Sequence, residues 1–556
     1  MMVARTAAVD PRRRGSSVLW TSVLCLLALF SSIALAASPP AVYETDEYIR
    51  IQPELSAATA KLSNRTVLAY ITPWNPRGAE LVDEYVDKID LVSPVWYTIL
   101  ISRDSLSRST QNGADATYVL SGGPPSKTEE SWLHRKQRQG IKFTPRFYLD
   151  GWQQKDYADL LSNSDNWQRL ADVITGEASK MGYDGVVFES AASHLLFEPI
   201  RTLHSALQGK LLTVVLPPLR TTYSMGGRVD RTQESQNRMI VQSIPQLAAV
   251  VDFFSIMTYD MSSAAGRVSD VEGKDFPTDS PLRGAKRGSL RQPGPNSSPK
   301  WIEENIRLIE EATRAAARAR IKTAQAKRAA QQAAEAEAKL ESDGEVEQLR
   351  DPSNPFLYDD FGGQEELNEE AERQPTEQIT LATLEEQDDL ASIRGKLLMG
   401  MPMYGYRYPI FWIDKSTGQG IPVPPPTNAF EGKELAKRSD PSLDTALLPF
   451  LRGPGEAVTM DTIVSILSDN DGAIIDSRSD DAEGWFDYTE TVTRESVKGR
   501  EAHGVKPGDE IYWRMYIPLP STTKQSLAAL EENDETRPGV SLWELGQASS
   551  LLLHAL

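Results

Sequence analysis

Cysteine is almost missing: Cys25 is the only one in 556 residues. No disulfide can form within the chain, and cysteine catalysis and cysteine-ligated metal sites fall with it. Histidine is scarce too, five in all with no pair at ligand spacing, so neither a metal nor a cofactor is expected. Positive charge is in deficit, 59 Lys and Arg against 78 Asp and Glu, for a formal net of −19. Phosphate backbones repel such a chain, so nucleic acid is not an expected partner. The deficit is local: residues 341–390 hold 17 acids and 2 bases, and the rest carries only −4.

Long hydrophobic runs are also rare. One stands out, "VLWTSVLCLLALFSSIALA" from Val18 to Ala36, preceded by Arg5 and Arg12–Arg14. It ends in Ala34-Leu35-Ala36, a small-x-small cleavage pattern. The favoured reading is a cleaved signal over residues 1–37. The run is long enough that an uncleaved membrane anchor is the alternative. Both place the body in the secretory pathway, secreted or lumenal. Asn64-Arg65-Thr66 is then a usable glycosylation sequon at Asn64, and Asn296-Ser297-Ser298 a weaker one because Pro299 follows.

What the chain does have is a series of short β-branched runs. Residues 38–63 read as a polar linker, and the runs begin after it. They are "TVLAYIT" (Thr66–Thr72), "KIDLVSPVW" (Lys88–Trp96), "IKFTPRFYL" (Ile141–Leu149), "GVVFES" (Gly185–Ser190), "LLTVVLP" (Leu211–Pro217), "VVDFFSIMTYD" (Val250–Asp260), "KLLMGMPMYG" (Lys396–Gly405) and "GVSLWELG" (Gly539–Gly546). Near-continuous apolar runs fit strands buried on both faces, as in parallel sheets. Helical spacing lies between several of them, as at Leu170, Val173, Ile174 and Ala178 within Asp165–Gly182, with an acidic cap. Eight strands alternating with helices predict an α/β fold of the (β/α)8 TIM-barrel type, over a doubly wound open sheet.

Two insertions interrupt that pattern. Residues 302–390 read as a charged insertion, helical over Trp301–Leu340 and then acidic with too little apolar content to bury. Its ordinary role is a solvated tether. Between about Arg407 and Pro520, "GWFDY" (Gly484–Tyr488) and "DEIYWRMYIP" (Asp509–Pro518) predict antiparallel strands in a small β-rich extension, and Ser521 is expected to cap a helix.

In a parallel barrel the chemistry sits at the C-terminal strand ends. There the stretch "YDGVVFESA" (Tyr183–Ala191) places Val187, Glu189 and Ala191 on one face, by the two-residue period of a strand. This stretch resembles the fourth strand of glycoside hydrolase family 18, the chitinase and chitinase-like lectin family, which reads Asp-Gly-x-Asp-x-Asp-x-Glu. Asp184 and Gly185 match. Val187 replaces the middle Asp, Glu189 replaces the Asp beside the acid, and Ala191 stands where the family has its catalytic Glu. "FFSIMTYD" resembles the sixth strand, giving Met257, Tyr259 and Asp260. "KLLMGMPMYGY" resembles the seventh, with Tyr404, and "GVSLWELGQ" the eighth, with Trp543 at the position that floors the central sugar subsite.

The resemblance covers about Thr66–Asp260 and Lys396–Leu556 and implies a chitooligosaccharide-type ligand. It implies no catalytic residue at Ala191. Substrate-assisted hydrolysis still requires a proton donor at the leaving oxygen, worth typically ~10²–10⁴ in rate. Glu189 is the nearest substitute, but it lies roughly 6.5 Å deeper at ~3.3 Å per residue. Glu198 and Asp150 are candidates for a relocated acid. The expected sugar-binding set is Glu189, Met257, Tyr259, Asp260, Tyr404 and Trp543, with Trp74, Trp96 and Trp152 nearby. Core packing is the alternative for each aromatic, and an internal ion pair, with Arg146 or a Tyr, for Glu189. Three functions remain open: an oligosaccharide-binding protein without hydrolysis, a weak glycosidase with a displaced acid, and a membrane-tethered protein that binds a protein partner through residues 341–390.

Overall fold

A computed structural model of the chain describes residues 42–44, 48, 61, 63–102, 118–222, 229–269, 271–280, 282–286, 288–348, 386–414, 416–421, 447–470, 474–476, 483–494, 506–530 and 536–556. The Val18–Ala36 run and residues 349–385 of the acidic stretch lie outside the described residues.

The eight apolar runs form the parallel strands expected of them. They are β1 (Val67–Ile71), β2 (Leu91–Pro94 and Tyr97–Ile101), β3 (Lys142–Phe143 and Arg146–Leu149), β4 (Gly185–Glu189), β5 (Leu211–Leu216), β6 (Phe253–Ile256) and β7 (Leu397–Pro402). Three strands of the second insertion follow, β8 (Tyr404–Asp414), β9 (Gly484–Thr491) and β10 (Glu510–Ile517), before β11 (Gly539–Trp543). Parallel ladders join β1 to β2, β2 to β3, β3 to β4 and β4 to β5. They continue from β5 to β6, β6 to β7 and β7 to β11, and β11 pairs back onto β1. The sheet is therefore curled and barrel-like, with helices around it. Pro145 interrupts β3, since proline has no N–H to donate, yet its carbonyl still accepts from Val187 N at 2.9 Å.

Two faces of this sheet collect different residues. Val186 and Phe188 of β4 point outward and pack with helix residues such as Ile174 and Ile200. Val187 points inward and packs with Leu68, Tyr70, Val215 and Leu398. The opening Asp-Gly pair has a structural reason. A Cβ on Gly185 would stand 2.3 Å from the carbonyl oxygen of Leu211, so only glycine fits between β4 and β5. The Asp184 carboxylate accepts from Phe143 N (2.8 Å) and from Gln137 Nε2 (2.9 Å), tying β4 to β3 and to the helix before it.

The surrounding helices are α1 (Arg77–Glu84), α2 (Lys127–Gln137), α3 (Gln154–Ser162), α4 (Ser164–Lys180), α5 (Phe197–Ala206), α6 (Arg231–Leu247), α7 (Pro299–Gln348), α8 (Met460–Asp469) and α9 (Pro520–Ala529). In α4, Leu170, Ile174 and Ala178 are buried as spaced, but Val173 is half-buried. Its cap is Asn163, whose side chain accepts from Asp165 N, rather than an acid. Ser521 is not a cap either. It lies inside the first turn of α9, which Pro520 opens.

The first insertion begins later than its composition suggests. Ile302, Ile306 and Ile309 of α7 are core residues, so the opening turns belong to the packed body. Beyond Ala317 the α7 side chains from Arg318 to Glu335 are exposed or nearly so. Two ion pairs, Arg318 with Glu386 and Arg320 with Asp389, join this stretch to the segment that leads into β7.

"GWFDY" and "DEIYWRMYIP" do pair antiparallel, in register from Gly484 opposite Ile517 to Thr491 opposite Glu510. What composition did not reveal is β8, an eleven-residue strand that pairs with β10 and follows β7 after Met403. It carries Tyr404, Tyr406 and Tyr408 on one face, all buried, with Tyr516 of β10 beside them.

Candidate functional site

At the C-terminal ends of the parallel strands, β11 delivers Trp543. Its indole lies parallel to the Tyr259 ring, centroids 6.1 Å apart at 10°, and meets Tyr70 edge-on at 5.3 Å. Met257 packs against the same inward cluster. Below them a polar chain runs inward: Tyr70 donates to Ser255 Oγ (3.0 Å), which donates to Ser541 Oγ (3.1 Å). Burial pushes the Tyr70 phenol well above its ordinary value, with Glu189 adding to the rise.

Glu189 ends β4 on the inward face, as its two-residue spacing from Val187 requires. Its partner is Arg146, at 3.4 Å from Nε to Oε2, with side chains 12% and 18% exposed for Arg146 and Glu189. That contact is an ion pair without a hydrogen bond, and Arg146 Nε is buried without another partner. The guanidinium also lies 4.7 Å from the Tyr148 ring centre and 6.0 Å from that of Trp543. Burial raises the Glu189 carboxyl above the usual range, and the Arg146 charge opposes the rise. A carboxylate taken this far from water has to be paired, and Arg146 is the pair.

Asp260 sits one loop away with φ at +55°, a left-handed conformation that Asp tolerates better than most residues. The surrounding bonds hold it there. Asp260 N donates to Asn296 Oδ1 at 2.8 Å, and the Tyr404 hydroxyl donates to Asp260 Oδ1. Burial, then the Asp260 charge, pushes the Tyr404 and Tyr406 phenols far up. Arg220 donates to the Tyr259 carbonyl at 3.1 Å; burial lowers its pKa, and the Asp260 charge opposes that.

Asn296 is therefore not a surface sequon. It is fully buried, its Nδ2 donates to Tyr404 O (2.9 Å), and its own N–H donates to Glu483 (2.7 Å). Asn64 is exposed.

The remaining candidates separate. Trp74 projects beyond β1, 68% exposed. Trp96 is a core residue at 8% exposure. Trp152 donates its indole N–H to Ile99 O (2.8 Å) and stacks on Tyr118 at 5.5 Å. Both have packing work that explains them. Ala191 lies past the end of β4, exposed, with only a methyl to offer. Of the two relocated candidates, Glu198 is held by Arg201 in the first turn of α5, and Asp150 is an exposed residue after β3.

Tyr70, Arg220, Tyr406 and Asn296 escaped the sequence reading. Tyr70 carried a signal, since it alternates with Leu68 on the inward face of β1. Asn296 carried a misleading one, its sequon. Among the described residues no group of three or more His, Cys, Asp or Glu is placed to hold a metal ion. Among them, also, no helix is long and apolar enough to cross a membrane.

No protein-family model matches the chain. Several solved structures are similar to it. A chitinase from Chromobacterium violaceum aligns with a TM-score of 0.46 at 13% identity, over 88% of this chain and 97% of that one. A class V chitinase from Pseudomonas fluorescens aligns at 0.45 and 13%, over 88% and 98%. A class V chitinase mutant from the plant Cycas revoluta, solved in complex with (GlcNAc)3, aligns at 0.44 and 10%, over 88% and 98%.

Proposed function

We propose that this chain is a (β/α)8 protein of the glycoside hydrolase family 18 type that binds chitooligosaccharide-like glycans and does not hydrolyse them. Within that family the reading points to the chitinase-like subgroup that resembles chitinase domain-containing protein 1, also called stabilin-interacting chitinase-like protein. One observation carries it. The strand-end constellation of Trp543, Tyr259, Asp260 and Tyr404 is assembled, while the position that would need an acid is Ala191.

An aromatic floor of this kind stacks on the apolar face of a pyranose ring, and carboxylates around it accept hydroxyl or amide hydrogen bonds. Glu189 is a poor proton donor to a leaving group. It is recessed by two residues and committed to Arg146. The secretory location rests on the Val18–Ala36 segment and on the exposed sequon at Asn64.

The test is calorimetric titration of the purified protein with chitotetraose, with products read by mass spectrometry in the same cell. Heat with intact tetraose, removed by Trp543→Ala, supports the reading. Shorter oligomers would replace it with a glycosidase that has a displaced acid. No heat and no cleavage would sink both.

A further inference from the structure

The aromatic face of β8 does not end at the strand-end site. Tyr404, Tyr406 and Tyr408 run outward from it, with successive ring centres 6.0 and 5.8 Å apart. With Ile410 and Tyr516 they form one cluster, and Trp543, Trp412, Trp485 and Tyr512 all pack against it. Register fixes the layout. Tyr406 stands opposite Tyr516 of β10, and Tyr516 opposite Trp485 of β9. At ~4.8 Å between strands, Trp485 lies roughly 10 Å across the sheet from Tyr406. Trp412 lies roughly 20 Å beyond Tyr406 along β8, at ~3.4 Å per residue.

The outer part of this face is a built platform. Arg514 of β10, the strand between β8 and β9, lies 3.9 Å from the Trp485 ring centre and 5.0 Å from that of Trp412. Its charge is answered within the sheet, since Nε and Nη2 each donate to Asp487 at 2.8 Å. Such stacking sets the indoles in place before any ligand arrives. The three tyrosines of β8 are buried, whereas Trp412, Trp485 and Tyr512 are half-buried. The opposite face of the sheet is core: Phe486, Tyr488, Trp513 and Met515 join Ile463 of α8 there.

We propose that this platform receives the far end of a long, neutral oligosaccharide whose near end rests against Trp543. The inference rests on the carbohydrate-binding reading and adds that the site selects for chain length. Indoles with open surface stack on the apolar faces of pyranose rings. The ligand needs no charge of its own, because Arg514 is already paired with Asp487. The binding surface then runs from the barrel onto the insertion sheet.

Calorimetric titration of the full chain with chitobiose, chitotetraose and chitohexaose tests it. Hexaose is expected to bind about 10-fold tighter than tetraose. Trp412→Leu and Trp485→Leu keep apolar packing and remove the aromatic faces. Each should weaken hexaose by about 3-fold, and the double variant should bring it level with tetraose, with chitobiose affinity unchanged in all three. Sedimentation of parent and double variant should coincide; a dimer lost in the variant would assign the platform to a second copy of the chain instead. Equal affinity for tetraose and hexaose, or a hexaose advantage that survives the double variant, overturns the chain-length inference and leaves the lectin reading standing. So does an equal loss at every chain length, since the indoles then only brace the site. If no oligomer binds, both fall.

Discussion

Replacing Arg146 by Met should destabilise this protein in a pH-dependent way. The substitution keeps most of the aliphatic stem and removes the charge beside Glu189. At 3.4 Å and an effective dielectric of ~20, two unit charges attract by about 5 kcal/mol before desolvation is counted. Breaking a buried pair typically costs ~3–5 kcal/mol, because a charge is left behind without a partner. Glu189 keeps some water contact, 18% of its side chain, so the lower figure of about 3 kcal/mol applies.

The sign with pH follows from the carboxyl. Burial raises its native pKa above the unfolded value, so the folded state holds that proton more tightly. The stability it contributes is fullest below the unfolded value of ~4.3 and declines as pH rises through the native one. Without Arg146 the native value climbs further, and the decline deepens. At ~2.1 cal/mol/K of unfolding entropy per residue, and roughly 400 folded residues, 3 kcal/mol is a drop in Tm of about 4 °C at pH 7.5. At pH 4 the drop should be smaller, since more of the carboxyl is protonated there and less charge is left beside the missing Arg146. Scanning calorimetry at the two pH values reads this directly, and Arg146→Met/Glu189→Gln should recover most of the loss. Equal losses at both pH values, or no recovery in the double variant, would refute the pairing argument.

Ala191→Glu combined with Glu189→Asp restores the last two carboxylates that the family resemblance expects and leaves Val187 in place of the middle Asp. Turnover of chitotetraose, followed by mass spectrometry, should rise by ~10²–10⁴ over the parent background, and an unchanged rate would show that more than the acid is missing. Asn296→Ala leaves Asp260 N without its acceptor and Tyr404 O without its donor, so stability should fall by about 2–3 kcal/mol in urea titration. Peptide mapping of protein from a secreting host should find N-glycan on Asn64 and none on Asn296, because Asn296 is enclosed.

The strands were legible because their physics is local. A strand buried on both faces must be apolar throughout, and eight such runs separated by helical spacing leave few architectures. The inward row of β4 was legible for a similar reason, since the two-residue period fixes which side chains share a face. Ala191 needed no structure at all, because a methyl group has no proton to give wherever it lies.

Boundaries and partners were less legible. The charged composition of α7 hid the three isoleucines, Ile302, Ile306 and Ile309, that anchor its opening turns in the core. Tyr404 and Tyr406 read as the end of the seventh strand and Tyr408 as part of an extension, and only pairing with β10 shows that the three form one buried face.

The sequence alone determined which side chains of β4 share a face, that residue 191 has no proton to give and where charge is concentrated. These follow from residue type and from spacing along one chain. Only the tertiary structure decided that Glu189 is committed to Arg146, that Trp96 and Trp152 pack rather than project, and that Asn296 braces Asp260 and Tyr404. It also brought Trp412 and Trp485 together around Arg514. Each of these contacts joins residues from different elements, and no local pattern encodes the distance between them.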